Sequence, residues 1–168
     1  MKLTELFLAQ LEDEAGRTRR TLEKTPEGRD DWTPHERSMP LGRLAMLLTH
    51  MPSWIDLVVN RDDLDLSPAG GSNVDTRPLR TPEELVRALD EGVAKAREAL
   101  EGTNDDHLMT PWRLLVSGNV VSEAPRYIVI RDTFAHLAHH RGQFTIYLRL
   151  ADGKVPSIYG PSADEPWS

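Results

Sequence analysis

The stretch PRYIVIRDTFAHLAHHRGQFTIYLRL, residues 125–150, decides how this chain folds. Drawn as a helix, it carries apolar side chains around most of its circumference. It is followed by Asp152 and Gly153, where a glycine can take the left-handed conformation that closes a helix. A helix that is apolar nearly all round is buried on several sides. The stretch therefore predicts a long central helix against which the rest of the chain packs.

Three other segments place apolar residues at helical spacing. They are residues 4–22, residues 38–60 and residues 81–102. Pro52 lies inside the second segment and predicts a kink or an early break there. The third segment opens with Thr81, Pro82 and Glu84, which suit the N-cap, the first-turn proline and the N3 glutamate of a capping box. The pattern thus predicts four helices.

Two stretches between these helices do not have a helical pattern. Residues 61–80 form a polar loop containing SPAGGSN. Residues 107–126 have β-branched runs on both sides of Ser117-Gly118-Asn119, which is typical of a short hairpin or an irregular excursion. We therefore expect an all-α four-helix bundle with a hairpin or irregular excursion before the last helix, folded as one domain over residues 1–168.

Charge and composition exclude several classes of protein. The formal net charge of −7 repels phosphate backbones, so we expect no nucleic-acid partner. No stretch approaches the roughly 20 apolar residues that cross a bilayer, and the amphipathic start lacks a signal-peptide pattern. We therefore expect a cytoplasmic protein without a membrane partner. The chain has no cysteine, which excludes a thiolate nucleophile or a thiolate metal ligand of its own.

Three of the six histidines fall within the five residues HLAHH of the last helix. His136 and His140 are one turn apart on one face, close enough to share a metal ion. His139 points about 100° away and is expected to be structural or to lie at an interface. The alternative for His136 and His140 is a pair of hydrogen-bonded histidines in a core or interface, and the spacing alone does not decide between the two.

A third ligand has to come from another part of the chain. His50 is the leading candidate, because Leu47 and Trp54 flank it in helical register and predict that it faces the core. Three inward imidazoles each need a polar partner, and one divalent ion satisfies all of them. His35 and His107 lie beside charged residues in predicted loops, where we expect them to be solvated.

These residues carry a family resemblance over nearly the whole chain. The stretch HLAHHRGQFTIYLRL, with PLGRLAMLLTHM before it and VPSIYGPSADE after it, resembles the DinB/YfiT-like superfamily of metal-dependent bacterial proteins. The resemblance implies a four-helix bundle and a three-histidine metal centre whose ligands match His50, His136 and His140. It also implies a homodimer, since members of the superfamily are often dimers.

A metal centre with three imidazoles leaves at least one position open, which is typical of catalytic sites. Nitrogen ligands suit zinc, nickel, iron or copper. By resemblance, relatives use low-molecular-weight thiols such as mycothiol or bacillithiol, so the leading expectation is a metal-dependent transferase that uses an external thiol in detoxification or stress response. A hydrolase with metal-bound hydroxide is the enzymatic alternative. A non-catalytic stress protein that binds metal or ligand is the third possibility.

Two further expectations concern surfaces. Trp54 and Tyr147 are expected to form walls of a cleft that binds a small-molecule substrate or thiol beside the metal. The last helix is apolar on more faces than one bundle core requires, so part of it, with Gly142 allowing close approach, is expected to meet the same helix of a second copy.

Overall fold

In the computed structural model, which describes residues 2–68 and 79–166, four helices carry most of the fold. They are α1 (Leu3–Leu22), α2 (Leu41–His50), α4 (Pro82–Glu101) and α6 (Arg126–Leu150). Two short helices, α3 (Trp54–Asn60) and α5 (Asp105–Leu108), lie between them. None of the helices in the described ranges is long and apolar enough to cross a bilayer. The mostly helical architecture expected from the sequence is confirmed.

The second predicted helix is broken at the proline that interrupts it. Residues Met51–Ser53 form a single 3-10 turn between α2 and α3, with Pro52 at its second position. Proline has no backbone N–H and clashes with the preceding turn, so an uninterrupted helix is not available there. The break thus places His50 at the C-terminal end of α2.

The start of α4 matches the predicted capping box. Thr81 Oγ1 accepts a hydrogen bond from the backbone N–H of Glu84 at 3.2 Å. In return, Glu84 Oε2 accepts from the backbone N–H groups of Thr81 and Arg80 at 3.2 and 2.8 Å. These bonds satisfy N–H groups that have no partner inside the helix, and they fix where α4 begins.

A small sheet corrects the expectation of a purely all-α bundle. Its strands β1 (Asp63–Asp65), β2 (Pro111–Val116) and β3 (Asn119–Pro125) lie in the order β1-β2-β3. The predicted hairpin is β2–β3, turning through Ser117 and Gly118, whose positive φ angles of 51° and 78° match a type I′ turn. The polar loop predicted for residues 61–80 was wrong at β1, which pairs parallel to β2; residues 69–78 lie outside the described residues.

The extra strand is held by one carboxylate. Asp65 accepts hydrogen bonds from the backbone N–H groups of Ser67, Ser117 and Gly118 at 2.9, 3.0 and 2.7 Å. A three-residue strand has too little periodicity to be read from sequence, and this clamp depends on residues 52 and 53 positions away. The sheet therefore arises from a long-range contact and not from a local pattern.

The core lies between α6 and the other long helices. From α6 it receives Ile130, Phe134, Leu137, Phe144 and Leu148, all at most 2% exposed. The expectation that α6 is buried on several sides holds only for this face, because Ile146 and Leu150 are 59% and 55% exposed. The last two turns of α6 thus expose two large apolar side chains in the single chain.

Two buried arginines tie α6 to its neighbours. Arg141, 1% exposed, forms an ion pair with Glu14 of α1 at 2.6 Å and donates to the hydroxyl of Tyr159 at 2.7 Å. Arg126 at the start of α6 donates to the carbonyls of Val58 and Arg61, both at 2.7 Å. These bonds satisfy the guanidinium groups inside the protein and fix both the height and the rotation of α6.

Candidate metal centre

The two histidines one turn apart on α6 meet through their ring nitrogens. Nε2 of His136 lies 2.7 Å from Nε2 of His140, and the ring centroids are 4.5 Å apart. Two nitrogen lone pairs cannot face each other at this distance without a shared proton or a cation between them. The helical spacing therefore brings two ligand atoms to one point, as the sequence indicated.

Gln143 sets the tautomer of one of these rings. Its Oε1 lies 2.7 Å from Nδ1 of His140. A carbonyl oxygen only accepts, so in this arrangement Nδ1 carries the proton and Nε2 of His140 presents its lone pair. Metal-ligating histidines are commonly oriented by such a bond at the nitrogen that does not ligate. In the metal-free pair, His136 Nε2–H is then the donor to His140, and that proton must leave Nε2 before His136 can ligate.

The surroundings of His136 favour the neutral ring that a metal requires. Burial of part of the side chain, together with the nearby imidazoles of His140 and His139, holds the pKa of His136 below its ordinary value. The side chain is nevertheless exposed, and His140 is half-buried. The sequence-based expectation that all three candidate ligands are buried inward was wrong, because the α6 face carrying Thr133 and Phe144 reaches the surface at the histidines.

His50 is the last residue of α2 and is half-buried. One turn further along the chain, Trp54 contacts His136, with 6.0 Å between the ring centroids. In the parts of the chain that the structure describes, no three histidine or carboxylate side chains are gathered closely enough to hold one ion. Two nitrogen ligands, from His136 and His140, are thus placed to hold a metal ion. His50 as the third ligand stays a prediction.

Two clefts adjoin the histidines. The α2 cleft has a volume of about 770 Å³ and is lined by residues of α2 and α3, including Met46 and His50. The sheet cleft, of about 360 Å³, lies between α3, α6 and the sheet. Its lining consists of Trp54, Leu57, Val58, Leu64, Leu66, Trp112, Leu114, Val129, Asp132, Thr133 and His136. Trp54 lines both clefts.

The other residues singled out from sequence have varied positions. Tyr147 is half-buried and packs edge-on against Trp32, with 5.7 Å between ring centroids, so its role as a cleft wall stays a prediction. His139 is exposed beside His140. His35 is exposed, as expected. The solvated loop expected for His107 was wrong: it lies on α5, and its Nε2 is 2.9 Å from the carbonyl oxygen of Val59.

Sequence reasoning missed the contribution of the sheet to this region. Trp112 and Leu114 alternate along β2 so that both face the sheet cleft, while Arg113 between them pairs with Asp63 on the other side. This period of two was present in the sequence, but nothing local indicated that the strand would lie over α3 and α6.

The comparisons with known proteins agree with this fold. A sequence model described as the DinB family matches residues 1–167. The uncharacterized protein YrdA of Bacillus subtilis (strain 168) is 28% identical over 160 residues, covering 95% of this chain and 89% of that protein.

Two solved structures are similar to the fold. A DinB-like protein from Bacillus cereus ATCC 10987 has a TM-score of 0.68 at 21% identity, covering 92% of this chain and 97% of that one. The DinB-like protein YjoA from Bacillus subtilis has a TM-score of 0.68 at 16% identity, covering 90% and 96%. At these identities the likeness concerns the fold alone.

Proposed function

The chain belongs to the DinB family, and on that premise we propose that it binds a divalent metal ion, zinc, nickel or iron, through His136 and His140, with His50 as the third ligand. The observation that carries the proposal is the 2.7 Å approach of the two Nε2 atoms, together with the bond that Gln143 makes to the opposite nitrogen of His140. A pair of histidines that is merely hydrogen-bonded has the same separation, so metal binding has to be measured directly.

The bound ion would supply a Lewis acid that lowers the pKa of a coordinated thiol or water. The chain's own residues would supply the remaining parts of the site. Gln143 keeps the His140 ring in one orientation, and the indole of Trp54 packs beside the ring of His136. Because the chain has no cysteine, a thiol can only come from outside.

The activity that we propose is transfer of a low-molecular-weight thiol to a small electrophilic substrate, as part of detoxification or stress response. The reacting sulfur would lie beside His136 and His140, and the substrate would enter through the clefts that meet at Trp54. Hydrolysis by metal-bound hydroxide and binding without turnover are the other outcomes that the experiments distinguish.

The first test measures metal content in protein purified without a histidine tag. We expect close to one divalent ion per chain, with the ion lost in His136→Ala. His139→Ala is the matched control, since His139 is exposed beside His140 on the same helix but is not one of the two rings of the Nε2 pair. His50→Ala tests the third ligand separately. Equal metal content in His136→Ala and the unaltered protein would rule out this site.

The second test uses cobalt-substituted protein and titrates it with mycothiol, bacillithiol, glutathione and cysteine. A thiol that ligates the ion changes the cobalt spectrum, and its binding strengthens as the pH rises toward the thiol's own pKa, because the thiol must lose a proton. Thiol-independent ester or amide hydrolysis that disappears in His136→Ala, without any spectral change, would replace the transferase with a hydrolase. Neither spectral change nor turnover would indicate a binding protein.

A further inference from the structure

The sheet cleft has an unusual lining for a site beside a pair of histidines. Apart from Asp132, Thr133 and His136 of α6, its lining is apolar, from leucines of α3 and β1, Trp112 and Leu114 of β2, and Val129 of α6. Its volume of about 360 Å³ falls in the range of small-molecule sites, which are mostly apolar with a few polar groups that fix orientation.

The side-chain oxygens along the cleft are already engaged within the protein, and Trp112 Nε1, which has no hydrogen-bond partner among the described residues, is fully buried. Thr133 Oγ1 donates to the carbonyl of Val129 at 2.9 Å. Asp132 accepts from the guanidinium of Arg131 at 2.8 and 3.0 Å. Among the described residues that line this cleft, Asp132 is the acidic one, and its carboxylate carries a negative charge. The cleft therefore disfavours an anionic or strongly hydrated group, because such a group would lose its water without gaining partners.

Two indole rings in the lining point to the shape of the ligand. Trp54 and Trp112 both contribute indole surfaces, which pack well against flat rings. His136 also lines the cleft and contacts Trp54, with 6.0 Å between ring centroids. A ligand packed on the indole of Trp54 therefore lies next to the Nε2 pair of His136 and His140. Leu66, 55% exposed, lies at the surface of the cleft, where a ligand can reach it from solvent.

We infer that the sheet cleft binds a neutral aromatic group of a small molecule, with the hydroxyl or thiol attached to that group directed at His136. The inference deepens the proposed function by naming the chemical class of its ligand, and it rests on that function only for the role of the polar end. The aromatic body is recognised by the cleft walls whether or not an ion is bound.

The test titrates 2-naphthalenemethanol into metal-free protein and again into zinc-loaded protein, following the ring protons of His136 by NMR. The anion 2-naphthoate and the polar alcohol glycerol serve as ligand controls. We expect 2-naphthalenemethanol to bind both forms and shift the His136 signals. Glycerol should not bind, and 2-naphthoate should bind at least about tenfold more weakly, because its carboxylate loses hydration beside Asp132.

Three variants locate the binding. Val129→Trp fills the sheet cleft and should weaken binding about tenfold or more, whereas Val121→Trp places the same side chain at a site 56% exposed on β3 and should change nothing. Leu114→Ala guards against misfolding of Val129→Trp, since it only truncates a half-buried side chain, and that side chain lines the sheet cleft but not the α2 cleft. It should weaken binding about fivefold through lost apolar contact.

The outcomes separate this inference from the metal proposal. Binding of 2-naphthalenemethanol to metal-free protein, weakened by Val129→Trp or Leu114→Ala, supports the cleft assignment even if no ion is ever found. Absence of binding in both metal-free and zinc-loaded protein overturns the assignment, and the metal proposal is then judged by metal content alone. Binding that neither variant weakens, or 2-naphthoate binding as tightly as the alcohol, also overturns it.

Discussion

At the scale of single residues, His140 is held at both of its ring nitrogens. Gln143 bonds Nδ1, and His136 lies at Nε2, both at 2.7 Å. The bond from Gln143 fixes Nε2 as the His140 nitrogen that is free to ligate. Its contribution to metal affinity can therefore be measured without removing a ligand. Gln143 follows His140 by three positions in α6, which places its side chain on the same helix face as the ring that it orients.

Gln143→Ala is therefore expected to weaken metal binding about 10- to 100-fold without removing a ligand. The ring of His140 would rotate freely and populate the wrong tautomer. Competition of zinc against a chelating dye gives the affinity. The matched control is Gln10→Ala on α1, the other glutamine of the chain, which should keep the original affinity. Equal affinities for both variants would mean that Gln143 does not orient a ligand.

At the scale of elements, α6 is joined to α1 by a buried ion pair. The side chains of Arg141 and Glu14 are only 2% and 7% exposed, and Tyr159 brings the C-terminal segment onto the same pair. Removing Arg141 takes away one of the two guanidinium groups on the buried Glu14 carboxylate and leaves only Arg17, at 2.8 Å, to compensate that charge. The ion pair therefore sets how α6, with its histidines, is rotated against the bundle.

Arg141→Met should lower the free energy of unfolding by about 3 kcal/mol or more, as measured by urea denaturation. Arg131→Met on the same helix is the control. Its ion pair with Asp132 is 62% and 60% exposed, so its loss should cost at most about 1 kcal/mol. Adding Glu14→Leu to Arg141→Met should recover part of the stability, since the buried carboxylate is then gone and Arg17, its other partner, is partly exposed and keeps Asp13 at 3.6 Å. If Arg141→Met and Arg131→Met lower the free energy of unfolding equally, the buried ion pair does not hold α6 against α1.

The carboxylate of Asp65 joins β1 to the turn of the β2–β3 hairpin. Hydrogen bonds from the backbone N–H of Ser67, and from those of Gly118 and Ser117, hold the pKa of Asp65 below its ordinary value of 3.8. A lowered folded pKa means that the stabilisation is complete above the unfolded pKa and is lost as the pH falls through the folded one. β1 should therefore separate from the hairpin in acid, below about pH 4.

Asp65→Asn should produce that loosened sheet already at neutral pH, seen as faster amide hydrogen exchange at Ser117 and Gly118. A neutral amide accepts these bonds more weakly than a carboxylate. Asp63→Asn is the comparison, because Asp63 makes an exposed ion pair with Arg113 and none of these backbone bonds. If exchange at the two amides is the same in both variants, the clamp assigned to Asp65 is wrong.

At the scale of the whole molecule, α6 leaves an apolar strip uncovered. Ile146 and Leu150 are 59% and 55% exposed, and Gly142 is exposed one turn earlier with open space where a Cβ would lie. A second copy related by a two-fold axis would cover the strip with the same strip of its own α6. This arrangement is the dimer that we predict.

Sedimentation velocity at micromolar concentration should then show a dimer, and Ile146→Glu should convert it to a monomer because two charges would be buried at the axis. Val121→Glu introduces the same charge at a site 56% exposed on the hairpin and should leave the dimer intact. A monomer in the unaltered protein would contradict the predicted assembly and leave the exposed side of α6 without a partner.

The sequence by itself determined the long helices, the break at Pro52, the start of α4 at Thr81 and the pairing of His136 with His140. Each of these depends on residues within about one or two turns of each other, where helical spacing, proline geometry and capping bonds act locally. The family resemblance also came from such stretches, and the match over residues 1–167 confirms it.

Only the tertiary structure decided the parallel pairing of β1 with β2, the exposure of His136 and the two clefts that meet at Trp54. The period of Trp112 and Leu114 predicted a strand but not the surface against which that strand lies. Asp65 closes a loop of 53 residues to reach Gly118, and Arg141 reaches Glu14 across 127 residues. Such contacts form when the packed core brings distant segments together, so their partners cannot be read from neighbouring residues in the chain.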